Sequence, residues 1–131
     1  MSILDRLAAV VAERHSGHTC VTASVDSMHF INPAHRGDNL IFMVSVNRAW
    51  RTSMEIGARV VAEEAKTGKR RHMVSVYFTF VAIDENEKPT PVPPLNPQTP
   101  IEKRRFAEAE MRRQRRKADA EAIKRHREEN A

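Results

Sequence analysis

The stretch that most constrains the fold is SILDRLAAVVAERHSG, residues Ser2–Gly17. Apolar residues recur there at the spacing of one face of a helix with 3.6 residues per turn. They are Ile3, Leu4, Leu7, Ala8 and Val11. Since residues 7–12 contain no polar side chain at all, we expect a helix that needs a partner surrounding it rather than a flat surface on one side. Ser2 and Asp5 have the spacing of a capping box at the start of this helix, and Gly17 suits the left-handed turn that ends it.

The next sixty residues alternate apolar and polar side chains with the period of β-strands. The pattern predicts four strands, over about Thr19 to Phe30, Leu40 to Asn47, Ser53 to Ala65 and Arg71 to Ile83. The third strand alternates most regularly, with charged residues opposite its apolar face, and is predicted to be half-buried in an antiparallel sheet. The fourth is apolar on both faces, which predicts a central strand or one covered by another subunit. The simplest fold is a long helix wrapped by an antiparallel sheet.

Two local signals refine this prediction. The alternation in the first strand changes parity near Asp26 and Ser27, which indicates a bulge or a bend. Lys66–Lys69 contains a glycine between two apolar strands, which predicts a hairpin turn.

The composition changes after the last strand. Six of the seven prolines lie between residues 89 and 100, and this spacing predicts an extended linker. Residues 101–131 are rich in Ala, Glu, Arg and Lys, and are expected to be helical or partly disordered. They carry 11 Lys and Arg against 7 Asp and Glu, so +4 of the net charge of +5 belongs to them. We therefore divide the chain into a domain over 1–88, a linker over 89–100 and a charged tail over 101–131.

Composition also bears on location. The single cysteine, Cys20, has no partner for an internal disulfide, which favours a reducing compartment. No apolar run approaches the roughly 20 residues of a membrane span, and the N-terminus lacks the pattern of a signal peptide. We expect a cytoplasmic protein that does not contact a membrane.

Few other motifs suggest chemistry. The six histidines lack the spacing of metal ligands, and Cys20 reads as a buried strand residue, so neither a metal site nor a cofactor is expected. Polar residues do cluster between the second and third strands, where arginine and hydroxyl groups suit phosphate oxygens. The candidates for binding a substrate are Arg48, Arg51, Thr52 and Ser53. An ordinary polar hairpin explains the cluster equally well, and the neighbouring Trp50 is suited to stacking on a base, sealing an interface or narrowing a groove.

Four segments together resemble the acyl-CoA thioesterase (acyl-CoA hydrolase) family of hot-dog proteins. They follow one another in the family's order: LDRLAAVVAERH, VTASVDSMHFINPAHRGD, VNRAWRTSMEIGARVVAE and VSVYFTFVAIDENEKPTPVPPL. The resemblance covers about Leu4 to Leu95. It implies an α+β hot-dog fold in which the sheet wraps the long helix, with the charged helical tail beyond it.

The resemblance also implies an activity, which is hydrolysis of acyl-CoA thioesters to the free acid and coenzyme A. In this family a carboxylate on the long helix acts as general base or nucleophile, and Asp5 occupies that position. Asp5 taken alone is better explained as a helix-capping acid, and it is the resemblance that favours a catalytic role. The resemblance further implies that residues 48–53 lie along the path of coenzyme A, that the chain forms a homodimer, and that dimers can assemble into hexamers.

The chain departs from the family at its start. Relatives place a strand and a Gly-Gly turn before this aspartate, whereas four residues precede Asp5 here. We expect either that the true start lies upstream or that the chain is a shortened relative.

Two other functions remain open. The first is a hot-dog protein that binds coenzyme A or acyl groups without turnover, or that serves as an assembly scaffold. The second is binding of nucleic acid through the basic run of the tail. Acidic residues interspersed in the tail, and the absence of Phe, Tyr and Trp beyond Phe106 for base stacking, argue against nucleic acid.

Overall fold

A computed structural model describes residues 2–131, apart from the side chains of Ser2 and Ser27. The chain divides into two compact units, one ending at Leu95 and the other spanning Asn96–Ala131. The first unit contains one helix and four strands. They are α1 (Ser2–Ser16), β1 (Thr19–Phe30), β2 (Asn39–Ala49), β3 (Ser53–Glu63) and β4 (Arg70–Ile83). The second unit contains α2 (Pro100–Glu129).

Helix α1 buries a narrower stripe than its composition predicts. Leu4, Ala8 and Ala12, spaced four residues apart, are at most 4% exposed. Ile3 and Leu7 were expected on the buried face, but they are 59% and 36% exposed. The expectation of a helix surrounded on nearly all sides is therefore wrong for a single chain, because four strands contact only part of its circumference. The predicted capping box depends on the Ser2 side chain, which lies outside the described residues.

The four strands form one antiparallel sheet in the order β1-β4-β3-β2. β4 lies between β1 and β3, so the prediction of a central strand is confirmed. The observed strand ends fall within about two residues of the predicted ones. Gly68, in the predicted hairpin turn between β3 and β4, has a positive φ of 72°.

The core lies between α1 and the facing side of the sheet. Alternate residues of β3 and β4 supply most of it, and each is at most 5% exposed. They are Met54, Ile56, Ala58, Val60, Ala62, Val74, Val76, Phe78, Phe80 and Ala82. Register places Val46 of β2 opposite Ile56, and Thr22 of β1 opposite Phe80, so these two residues also belong to the helix-facing side.

Bulges interrupt both edge strands. In β1 the register shifts between Thr22 and Ser24 and again between Val25 and Ser27. The second shift confirms the bulge predicted from the change in parity. In β2 the register shifts between Val46 and Arg48, a bulge that the sequence pattern did not reveal.

The Pro-rich segment is divided between the two units. Its first residues attach to the sheet, because Thr90 N donates to Ala82 O at 2.9 Å and Val92 N donates to Arg51 O at 2.9 Å. Val92 is buried in the core, and His15 Nε2 lies 2.8 Å from Pro93 O. Prolines at alternate positions leave the backbone N–H groups between them free to make these bonds.

The second unit is described by itself. Thr99 caps α2 through a capping box in which Glu102 N donates to Thr99 Oγ1 at 3.1 Å and Thr99 N donates to Glu102 Oε1 at 3.3 Å. Pro100 follows at the first helical position, where its missing N–H costs nothing. Among the described helices, none is long and apolar enough to cross a membrane.

The loop between β1 and β2 is joined to β4 by an ion pair of Asp38 with Arg71. The pKa of Asp38 lies below its ordinary value of 3.8, first because His35 N donates to its carboxylate at 2.7 Å and also because Arg71 lies beside it. A carboxyl whose pKa is lowered by folding stabilises the fold above its unfolded-state pKa, and this contribution is lost as the pH falls through the folded-state value.

Asp38→Asn is therefore expected to reduce the free energy of unfolding at pH 7, and the difference from wild type should shrink progressively between pH 4 and pH 2. Urea unfolding across this range measures both effects. The matched control is Glu63→Gln, which removes the more exposed pair of Glu63 with Arg70 and should have little effect at any pH. If the difference in unfolding free energy between Asp38→Asn and wild type does not vary with pH, the Asp38 carboxylate is not the source of the pH-dependent stability.

Candidate active site

The candidate catalytic carboxylate, Asp5, lies exposed in the first turn of α1. Residues eleven apart on a helix lie on the same line of its surface, because eleven residues complete about three turns. Asp5 therefore shares a line with Ser16, whose Oγ lies 3.3 Å from Cys20 Sγ of β1. Glu13 Oε2 accepts from Cys20 N on the same side of the helix. The last turn of α1 thus lies beside the start of β1.

Exposed apolar side chains follow the helix-facing side of β1. Register places Val25, Met28 and Phe30 opposite the core residues Phe78, Val76 and Val74. Yet these three are 50%, 37% and 76% exposed, because β1 is an edge strand. Thr22, also exposed, precedes them on the same side.

Asp5 lies far from the contacts that join α1 to β1. Because α1 rises about 1.5 Å per residue, Asp5 lies about 16 Å along the helix from Ser16, which contacts Cys20 of β1. An exposed carboxylate of this kind is suited to activating water.

The four candidate substrate-binding residues come together at the turn between β2 and β3. Backbone bonds hold this turn: Trp50 N donates to Ser53 O at 2.8 Å, and Ala82 N donates to Thr52 O at 3.0 Å. Arg51 is exposed, whereas Arg48, Thr52 and Ser53 are partly buried. Ser53 lies three residues, or about 10 Å, along the sheet from Ile56, which shares a row with Val25. The cluster and the exposed apolar residues of β1 are therefore at different levels of the sheet, and β4 lies between β3 and β1.

A buried polar pair lies beside this turn and was not predicted. Asn47 Nδ2 donates to Glu55 Oε2 at 2.9 Å, and the two residues are 3% and 0% exposed. The alternation of β3 assigned Glu55 to a solvent face, so that expectation is wrong. The sequence signal that could have revealed the pair is Gly57, because a glycine inside a strand often marks close approach of a neighbour.

The histidines and the cysteine make structural contacts. His72 Nε2 lies 2.8 Å from Ser75 Oγ, and burial raises the pKa of the Cys20 thiol, which disfavours a reactive thiolate. Across residues 2–131, no three His, Cys, Asp or Glu side chains are grouped so as to hold a metal ion.

Comparison with known proteins identifies the family. The sequence profile of the thioesterase superfamily matches residues 1–69. A solved structure described as an apo-hexameric acyl-CoA thioesterase is 40% identical, with a TM-score of 0.87 over 91% of this chain and 76% of that one. This chain belongs to the acyl-CoA thioesterase family. The resemblance inferred from the four sequence segments and the hot-dog fold are thus confirmed.

Two further comparisons show how much of each similar protein the chain covers. An acyl-CoA hydrolase from Staphylococcus aureus, solved with butyryl coenzyme A, coenzyme A and coenzyme A disulfide, is 35% identical with a TM-score of 0.88, over 98% of this chain and 78% of that one. Protein VdlD of Helicobacter pylori is 40% identical over 114 residues, which is 87% of this chain. The present chain spans 65% of the length of that relative.

One spacing in the thioesterase structures matches a residue that the sequence analysis did not select. The Staphylococcus aureus hydrolase was solved with alanine replacing an aspartate, and separately with alanine replacing a threonine seventeen residues further on. Asp5 and Thr22 have the same separation in this chain. An available signal was the exposed hydroxyl of Thr22 on the helix-facing side of a strand whose next residues on that side are apolar.

Proposed function

We propose that the chain hydrolyses acyl-CoA thioesters to the free acid and coenzyme A. The observation that carries the proposal is the exposed Asp5 carboxylate in the first turn of α1, in a domain whose strand β1 exposes apolar side chains. Membership of the acyl-CoA thioesterase family supports the same reaction. The reaction consumes one water molecule and requires no cofactor.

Asp5 has two chemically sound roles in this reaction. As a general base it accepts a proton from water while the water oxygen adds to the thioester carbonyl carbon. The C–S bond then breaks, and the thiolate of coenzyme A takes up the proton. As a nucleophile it attacks that carbon itself, expels the thiolate and forms an anhydride that water hydrolyses. The equal separation of Asp5 and Thr22 from the altered pair in the Staphylococcus aureus enzyme supports a place for Thr22 beside the reacting group.

The two ends of the substrate require different surroundings. Coenzyme A carries phosphate groups at one end and the thioester at the other, joined by a long pantetheine arm. We assign the phosphate end to the turn with Arg48, Arg51, Thr52 and Ser53, because guanidinium and hydroxyl groups donate hydrogen bonds to phosphate oxygens. We assign the acyl group to the exposed apolar side chains of Val25 and Met28 on β1.

We further propose that a second copy of the chain covers the edge strand β1. An edge strand presents unpaired backbone groups, and β1 adds three exposed apolar side chains to them. Hexameric thioesterases among the similar structures support assembly, and a trimer of dimers is the hexamer that contains such a pair. This contact also covers Val25 and Met28, to which the proposal assigns the acyl group.

Met28→Glu is expected to separate the dimer into monomers and to reduce turnover, because it places a charge in the covered surface. Sedimentation velocity measures the change in mass. Ile123→Glu, at a similarly exposed apolar position on α2, is the control and should leave the mass unchanged. A Met28→Glu protein that keeps the wild-type mass would rule out β1 as the interface.

The direct test measures release of coenzyme A from acyl-CoA substrates of several chain lengths. A protein that binds but does not hydrolyse is the alternative function, and calorimetry with coenzyme A and a non-hydrolysable acyl thioether distinguishes it. Turnover that depends on Asp5 supports the enzyme, whereas binding without turnover favours the binding protein.

We propose a cytoplasmic location for this activity. Relatives named cytosolic acyl coenzyme A thioester hydrolase, 36% identical to this chain over 114 residues, support it.

A further inference from the structure

The bulge in β2 determines which way Arg48 points. Val46 pairs with Ile56 on the helix-facing side of the sheet. In a regular ladder Asn47 would then pair with Glu55, and Arg48 with Met54 in the core. Instead Arg48 pairs with Glu55 and Ala49 pairs with Met54, which is 0% exposed. The extra residue at Asn47 thus removes a guanidinium from the core side and replaces it with a methyl group.

The Asn47–Glu55 pair stabilises this bulge. Asn47 is the residue that the ladder leaves unpaired, and its amide Nδ2 donates to Glu55 Oε2 at 2.9 Å. Ser45 Oγ donates to Asn47 Oδ1 at 3.3 Å. Since Asn47 and Glu55 are almost completely buried, loss of their hydrogen bond would leave polar groups without water to replace it. Hydrogen bonds among the side chains of Ser45, Asn47 and Glu55, on two neighbouring strands, therefore stabilise the bulge.

Gly57 leaves the space in which the Asn47 amide lies. A Cβ atom at position 57 would approach Asn47 Nδ2 to 2.6 Å and Asn47 Cγ to 3.2 Å. The φ angle of Gly57 is not positive. Glycine is therefore favoured here because it leaves space for the Asn47 amide, and not because of its backbone conformation. An alanine would displace the Asn47 amide from Glu55 without changing any charge.

We infer that Asn47, Glu55 and Gly57 are positioning residues that aim Arg48 at the phosphate groups of coenzyme A. The inference rests on the proposed function, since it assigns these three residues to the phosphate end of that site. They act through Arg48 and do not themselves touch the substrate. Arg48 is partly buried and adjoins the exposed Arg51 turn, so a small change in the bulge alters the direction of its side chain.

The test is a double-mutant cycle of Gly57→Ala with Arg48→Ala in the full-length chain. Arg48→Ala should raise the KM for acyl-CoA roughly tenfold or more, because it removes a hydrogen bond from a charged donor. Gly57→Ala should also raise the KM for acyl-CoA, and it should leave kcat within about twofold of the wild-type value. In the Arg48→Ala background Gly57→Ala should have no further effect, because its action passes through Arg48.

A second substrate separates positioning from general damage to the fold. Acyl-pantetheine lacks the nucleotide phosphates, so its KM should be unchanged by Gly57→Ala and by Asn47→Ala. Additive effects in the cycle, or equal losses with acyl-pantetheine, would overturn the inference. Gly57→Ser is a second variant at the same position, and it should show the same pattern as Gly57→Ala.

Failure of this inference and failure of the proposed function give different results. If the wild-type chain hydrolyses acyl-CoA and the cycle is additive, only the inference is wrong. If the wild-type chain shows no hydrolysis, the same four proteins are compared by their Kd for coenzyme A, measured by calorimetry. Non-additive changes in Kd would support the positioning of Arg48 even though the chain is not an enzyme. Additive changes, or no binding of coenzyme A, would overturn the inference.

Discussion

Replacing Asp5 by asparagine is expected to lower kcat for acyl-CoA hydrolysis by about 10²–10⁴-fold, the usual contribution of a positioned acid or base. Asparagine keeps the size and the capping ability of the side chain, but it neither accepts a proton nor attacks a thioester. The affinity for coenzyme A should change little, because the proposed phosphate site is formed by other residues. Steady-state kinetics together with calorimetry of coenzyme A measure both quantities.

Glu13→Gln is the matched control for Asp5→Asn. It removes another exposed carboxylate from α1, on the same side of the helix and two turns further along. This control should keep turnover within about twofold of wild type. If both variants lose activity equally, or if Asp5→Asn retains full turnover, the catalytic assignment of Asp5 is wrong.

Phe78→Ala is expected to reduce the free energy of unfolding by about 3–5 kcal/mol, the range for deleting a buried phenyl ring. Phe78 is 1% exposed on the central strand, and its ring centroid lies 5.9 Å from that of Phe80. The loss combines burial of apolar surface with the cavity that the ring leaves behind. Urea unfolding measures it directly.

Phe30→Ala provides the comparison within the same sheet. Phe30 is 76% exposed in the single chain, so its replacement should change the unfolding free energy of the monomer by less than about 1 kcal/mol. Measuring unfolding at two protein concentrations separates this small term from any contribution of association through β1. Equal losses for Phe30→Ala and Phe78→Ala at both concentrations would contradict the observed placement of the core.

Local spacing predicted most of the framework. α1 and all four strands were recognised because helices and strands place side chains on one face with periods of 3.6 and 2 residues. The central position of β4 followed from apolar residues on both faces, and the bulge at Asp26 followed from a change of parity. The family, the hot-dog fold and the candidate residues came from the order of the four segments.

The candidate site was only partly predictable. The sequence selected Asp5, Arg48 and Arg51 as candidates, and the structure places Asp5 exposed in the first turn of α1 and the two arginines at the turn between β2 and β3. The bulge at Asn47 was hidden because Val44 and Val46 continue a regular alternation up to it. Thr22 was not selected as a candidate, because an exposed threonine in a strand is common and draws attention only once its neighbours on the same face are known.

The sequence by itself therefore determined the kinds of elements, their order and the family, since these depend on residues close together in the chain. Tertiary structure decided which apolar residues of α1 remain exposed, because that depends on how far four strands curve around the helix. It also decided that Glu55 is buried with Asn47 beside Gly57. The physical reason is that strand register, set by long-range pairing of β2 with β3, brings these three residues together.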